Sequence, residues 1–276
     1  MRKRTKQVSI AMGTALLLLG ACQGGVVSDS IDPHIVEALE TIRAHKVFFG
    51  HQSVGRNVLQ GIRELGTLAG VDLPSGAVED GVSAAELCLV DAHVGTNTRP
   101  YEKIDEFTEL MRSGLARDVD IAFMKFCYVD ANSGFSAEEI FHAYVTAMES
   151  LESEFPETTF VYLTMPLTAT RTDVRGLIKR VLGMETRGRE DNIERNRFND
   201  LLRERKGGDG RLFDIAAAEY THPDGSIETF KRNGRTYRAM VPAYSDDGGH
   251  LNERGRRVVA EQLIVYLANL ARSQSI

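Results

Sequence analysis

Short apolar runs alternate with helix-period segments along most of this chain, and that alternation decides its fold class. Val47-Phe48-Phe49 ends at Gly50, and beyond Ser53 the residues Val58, Leu59, Ile62 and Leu65 recur on one helical face. Leu87-Cys88-Leu89-Val90 is a second run, and Pro100 then opens a helix carrying Ile104, Phe107, Leu110 and Met111. A third run covers 120–126. The capping-box pair Ser136 and Glu139 follows it and starts a helix that reaches Leu151. Residues 160–163 and 212–215 read as a fourth and a fifth strand, with helices expected near 190–205 and 253–271. Another helix opens at Asp32-Pro33, where Asp caps and Pro suits the first turn. Strands that alternate with helices predict βαβ units, a mainly parallel sheet and a three-layer α/β/α sandwich. Active sites in such sheets lie beyond the carboxyl ends of the strands. The residues just after each run are therefore the candidates for chemistry.

The two ends of the chain read differently. Residues 1–21 begin with Arg2-Lys3-Arg4 and continue into an apolar stretch ending Leu16-Leu17-Leu18-Leu19, the layout of a secretory signal. Leu19-Gly20-Ala21-Cys22 resembles a bacterial lipobox, which implies cleavage before Cys22 and a lipid on its sulfur. Residues 22–31 are expected to be a lipidated tether, and 32–276 a single domain with inserts near 167–190 and 221–245. The first insert is basic, with Arg171, Arg175, Lys179, Arg180, Arg187 and Arg189; the second contains Asn233-Gly234, a hairpin signal. Without the four basic residues of the leader, 29 Lys and Arg face 39 Asp and Glu, a net charge of −10. That balance argues against a nucleic-acid partner.

Two segments carry chemistry. Gly50-His51-Gln52-Ser53-Val54-Gly55 directly follows the first strand, so the Ser53 hydroxyl lies near the free N–H groups of a helix start. Ser53 is a candidate nucleophile; capping the helix is its other reading. Asp246-Asp247-Gly248-Gly249-His250-Leu251-Asn252 precedes the last helix. Across two glycines, the Asp247 carboxylate can reach one imidazole nitrogen of His250 and leave the other for a serine hydroxyl. A plain polar turn is one alternative; a metal site joining His51 to Asp247 and His250 is another, and it would need further ligands.

With these residues in place, the chain resembles the SGNH/GDSL hydrolase superfamily from about residue 47 to 270. The resemblance rests on a serine after the first strand and Asp-x-x-His before the last helix. It implies a catalytic triad of Ser53, His250 and Asp247, and an oxyanion hole built from the N–H groups of Ser53 and Gly95. Two departures stand out. The usual Gly-Asp-Ser is replaced by His51-Gln52-Ser53, and the third strand runs into Lys125-Phe126-Cys127-Tyr128-Val129-Asp130 with no asparagine. Asn97 is a candidate substitute donor or a turn residue. His51 is a possible substrate contact or a structural hydrogen-bonding residue.

The family fold implies a five-stranded sheet in flavodoxin-like order 2-1-3-4-5. Strand one would then separate Cys88 from Cys127 by about 10 Å, beyond disulfide reach, so two free thiols are expected. The expected activity is that of a cell-envelope serine esterase removing O-acetyl or other short acyl groups from a carbohydrate. O-acyl transfer with the same triad is an alternative, as is a catalytically weak glycan-binding lipoprotein. No cofactor and no metal is expected. The expected location is the bacterial envelope, at the outer membrane, facing the periplasm or the cell surface.

Overall fold

The computed structural model describes residues 31–81, 86–131, 134, 136–170 and 187–274. The expected leader, the anchor at Cys22 and the basic residues Arg171 to Arg180 lie outside the described residues.

Helix α1 (Pro33–Arg43) starts where the sequence predicts: the Asp32 carboxylate accepts the His34 N–H at 2.9 Å, with Pro33 in the first turn. Strand β1 (Val47–His51) is buried along its whole length and leads through Gln52 into α2 (Ser53–Ala69). Then come β2 (Ser75–Ala77), β3 (Leu89–His93), α3 (Pro100–Leu110), a short α4 (Ala116–Asp118) and β4 (Ile121–Met124). α5 (Ala137–Glu154) follows, its first turn capped by Ser136, whose hydroxyl accepts the Glu139 N–H. The remaining elements are β5 (Thr159–Leu163), α6 (Arg187–Lys206), β6 (Leu212–Phe213), α7 (Ile215–Tyr220), β7 (Thr229–Arg232), β8 (Arg235–Arg238) and α8 (Glu253–Gln274).

The main sheet is parallel throughout, in the order β2-β3-β1-β4-β5-β6. The five expected strands hold the expected relative order, and β2 adds a sixth at the edge. Ser75-Gly76-Ala77 is short, half-buried and free of large apolar side chains, so no hydrophobic pattern announces it. The strand expected over 212–215 stops at Phe213, because the Asp214 side chain accepts the Ala217 N–H and starts α7. The hairpin β7–β8 turns on Asn233-Gly234, both at positive φ (48° and 76°), as a two-residue turn of that type requires.

Alternate strand residues feed two cores. Val47, Phe49, Ile121, Phe123 and Val161 face α1, α2 and α8, whereas Phe48, Val90, Ala122, Phe160 and Tyr162 face α3, α5 and α6. Burying each such side chain contributes roughly 1.5–3 kcal/mol before conformational entropy is counted. This confirms the three-layer expectation. Cys88 and Cys127 are buried and free, on either side of β1 as the strand order requires.

Candidate active site

The carboxyl ends of β1, β3 and β4 bring the loops after His51, His93 and Met124 to one edge of the sheet. Ser53 is the first residue of α2, not its cap. Gln52 occupies the cap position with extended backbone and makes no side-chain capping bond. Among the described residues nothing accepts the N–H groups of Ser53 and Val54, at the positive end of a 17-residue helix.

The turn before α8 supplies the base. The Asp247 carboxylate accepts the Gly249 and His250 N–H groups at 2.8 Å each and the His250 Nδ1–H at 2.6 Å. The Ser245 hydroxyl braces the same turn, donating to the His250 carbonyl at 2.6 Å and accepting the Gly248 N–H at 2.9 Å. Burial opposes ionisation of Asp247, but the His250 hydrogen bond and the two backbone donors outweigh it. They hold its pKa well below the usual carboxylate range. An ionised carboxylate only accepts, so the Nδ1 proton is fixed and Nε2 is left bare. Nε2 then accepts the Ser53 hydroxyl at 3.1 Å. Ser53, His250 and Asp247 are thus a connected hydrogen-bonded chain, and the imidazole is 41 % exposed.

The other predicted residues fare differently. Gly95 is where the sequence places it, after β3 at φ 56°. Its N–H, however, donates to Glu106 Oε2 at 2.7 Å, so an oxyanion would have to compete with a carboxylate for it. Glycine is required there by packing, because a Cβ would lie 2.6 Å from the Lys103 backbone nitrogen. The Asn97 side-chain oxygen accepts from Lys103 Nζ at 3.0 Å. His51 is only 1 % exposed, which corrects the expectation of a substrate contact. Its Nε2 faces Asp91 Oδ2 at 3.0 Å, so it does not join Asp247 and His250 in a metal site. Burial again opposes ionisation of Asp91, and the His51 hydrogen bond with the Arg63 charge nearby holds its pKa below the usual range.

Sequence reasoning missed Tyr128 and the pair Lys103–Asp130. Tyr128 stands in the stretch after β4, where the sequence resemblance would call for an asparagine. Its ring meets the His250 ring edge-on at 5.6 Å, and the buried Arg195 guanidinium lies 5.9 Å from the centroid of the same tyrosine ring. Burial pushes the phenol pKa up, so Tyr128 stays a neutral donor. Lys103 Nζ and Asp130 Oδ2 form a fully buried ion pair at 2.6 Å. Asp130 also accepts the N–H groups of Thr98 and Cys127, tying the loop after β3 to the loop after β4. Separations of 27 to 32 residues hid these pairings from the local pattern.

No protein-family model and no curated protein matches the chain. Solved structures similar to it include a carbohydrate esterase family 3 protein from Talaromyces cellulolyticus, at 15 % identity over 83 % of this chain and 99 % of that one (TM-score 0.47). A member of the lipolytic protein G-D-S-L family from Veillonella parvula matches at 12 % identity over 79 % and 94 % (TM-score 0.42). The periplasmic domain of a lipopolysaccharide acetyltransferase from Salmonella ser. Paratyphi A matches at 12 % identity over 85 % and 88 % (TM-score 0.43).

Proposed function

We propose that this chain is an SGNH-type serine ester hydrolase that works through an acyl-enzyme on Ser53. The observation that carries the reading is the continuous contact from Ser53 Oγ to His250 Nε2 at 3.1 Å and from His250 Nδ1 to Asp247 Oδ2 at 2.6 Å. His250 takes the hydroxyl proton as Oγ attacks the ester carbonyl carbon, and Asp247 stabilises the imidazolium that forms. The free N–H groups at the start of α2 stabilise the oxyanion. Collapse of the tetrahedral intermediate expels the alcohol, which takes the proton from His250. Water then attacks the acyl-enzyme and gives a proton to His250; collapse of the second tetrahedral intermediate breaks the bond to Ser53, returns that proton to Ser53 Oγ and releases the carboxylic acid. The exposure of His250 to solvent favours hydrolysis over transfer, because water reaches the base.

The substrate we assign is a carbohydrate bearing O-acetyl or another short acyl group, met at the bacterial envelope by a protein anchored through Cys22. The leader and lipobox-like sequence support the location, and the location supports the substrate class. The test uses leaderless protein on a short-chain aryl ester, beside Ser53→Ala and His250→Ala. Each variant is expected to lose at least about 10³-fold in kcat. Equal activity in all three proteins overturns the mechanism. Acetate release from an O-acetylated polysaccharide tests the substrate class, and Cys22→Ser, by moving the full chain from the membrane to the soluble fraction, tests the anchor.

A further inference from the structure

Directly beneath the nucleophile lies a second His–Asp pair that the reaction above does not use. His51 closes β1 between the rings of Phe49 and His93, at centroid distances of 5.1 and 5.3 Å. Its Nε2 meets Asp91 Oδ2 at 3.0 Å, and the Arg63 guanidinium lies 3.7 Å from the other carboxylate oxygen. Its Nδ1 lies 2.9 Å from the carbonyl oxygen of Gln52. A carboxylate and a carbonyl both accept, so each ring nitrogen faces an acceptor.

The Gln52 carbonyl belongs to the same peptide unit as the Ser53 N–H. A donor on the carbonyl oxygen polarises the amide and strengthens its N–H as a donor in turn. The surroundings hold this peptide in place. Gln52 Nε2 donates to the Val94 and Gly95 carbonyls at 3.1 and 2.7 Å, and the Arg56 N–H reaches the Gln52 carbonyl at 3.2 Å. Gly55 lets α2 settle onto the imidazole, since a Cβ there would lie 2.3 Å from the His51 Cβ.

We propose that His51, held by Asp91, is a positioning residue that fixes and polarises the Gln52–Ser53 peptide so that the Ser53 N–H serves as the principal oxyanion donor. This rests on the hydrolase reading. It gives the His51-Gln52-Ser53 sequence a job: histidine polarises the peptide, glutamine ties it to the neighbouring loop, and serine reacts. It also offsets the Gly95 N–H that Glu106 engages.

Asp91→Asn tests this, because asparagine keeps the shape and a hydrogen bond but removes the charge; His51→Gln is the second variant. Each is assayed for kcat and KM on an aryl acetate, for inhibition by an arylboronic acid whose tetrahedral adduct places an oxygen in the oxyanion site, and for the Ser53 amide resonance. Asp91→Asn is expected to lower kcat and boronate affinity together by roughly tenfold, with KM changed less than about twofold. The Ser53 amide proton is expected to move upfield. A variant with lowered Tm but unchanged kcat, boronate affinity and Ser53 resonance overturns the proposal, since that is the signature of a purely structural pair. If His51→Gln does not fold, Asp91→Asn alone decides. Wild-type protein without Ser53-dependent turnover overturns the hydrolase reading and this inference with it, whereas an active wild type matched by Asp91→Asn overturns only the inference.

Discussion

The Nε2 atom of His250 accepts a hydrogen bond from the Ser53 hydroxyl at 3.1 Å, across 197 residues of chain. Two rigid elements make that contact: the first turn of α2 and a short turn whose carboxylate ties down two backbone N–H groups and the imidazole together. A nucleophile and base set on such supports lose little freedom on reaching the reactive geometry.

Asp247→Asn removes the group that fixes the His250 tautomer. The expected loss is about 10²- to 10⁴-fold in kcat, with KM nearly unchanged. Because the Asp247 pKa is depressed, the carboxylate stays charged above its ordinary value of 3.8. Asp247 therefore adds no ionisation of its own between about pH 5 and about pH 8, and a limb in the wild-type steady-state rates across that range that depends on the Asp247 carboxyl titrating would contradict this.

Gly249 is the residue against which Tyr128 packs. A Cβ there would lie 2.5 Å from Tyr128 Cζ and 2.7 Å from its hydroxyl oxygen. Arg195 stands against the same ring, so the tyrosine has little room to yield. Gly249→Ala is expected to push Tyr128 and His250 out of register and to lower kcat by about tenfold. In Gly249→Ala/Tyr128→Ala part of that loss should return, giving a double-mutant cycle that is clearly non-additive.

Legibility followed the physics of each feature. The five expected strands and the long helices were readable because burial on two faces imposes apolar runs and a 3.6-residue period. Asp247 and His250 were readable because their contact closes within one turn. β2 was not, being three small residues at an edge. His51 stayed open between substrate contact and structural residue, because adjacency to Ser53 in sequence suggests exposure whereas its partner Asp91 stands 40 residues away on the neighbouring strand. The engagement of the Gly95 N–H depends on Glu106, one helix further on, and no local pattern records the direction of a backbone hydrogen.

Lys103→Met leaves the Asp130 carboxylate buried without its cation. Removing one partner from a buried pair costs about 3–5 kcal/mol, so urea unfolding should show a loss of that order. A change below about 1 kcal/mol would mean that the pair does not brace the two loops.

Glu219 sets a pH dependence of stability. Burial pushes its pKa up to about 8, against the Leu167 N–H and the Lys125 and Arg195 charges, from an ordinary 4.5. Between those values the native protein holds a proton that the unfolded chain releases, so stability falls as pH rises through the window and levels off above it. The slope from this group is at most about 1.4 kcal/mol per pH unit. Glu219→Gln keeps an acceptor for the Leu167 N–H and should flatten the curve. Wild-type and variant unfolding free energies that run parallel from pH 5 to about pH 8 would contradict the assignment.

The most direct test of the central claim is mass spectrometry of peptides from the leaderless protein after reaction with a fluorophosphonate. The expected result is a single adduct on the peptide carrying Ser53, absent from Ser53→Ala and formed far more slowly in His250→Ala. An adduct on another residue, or equal labelling of wild type and Ser53→Ala, would contradict the assignment of Ser53 as the nucleophile.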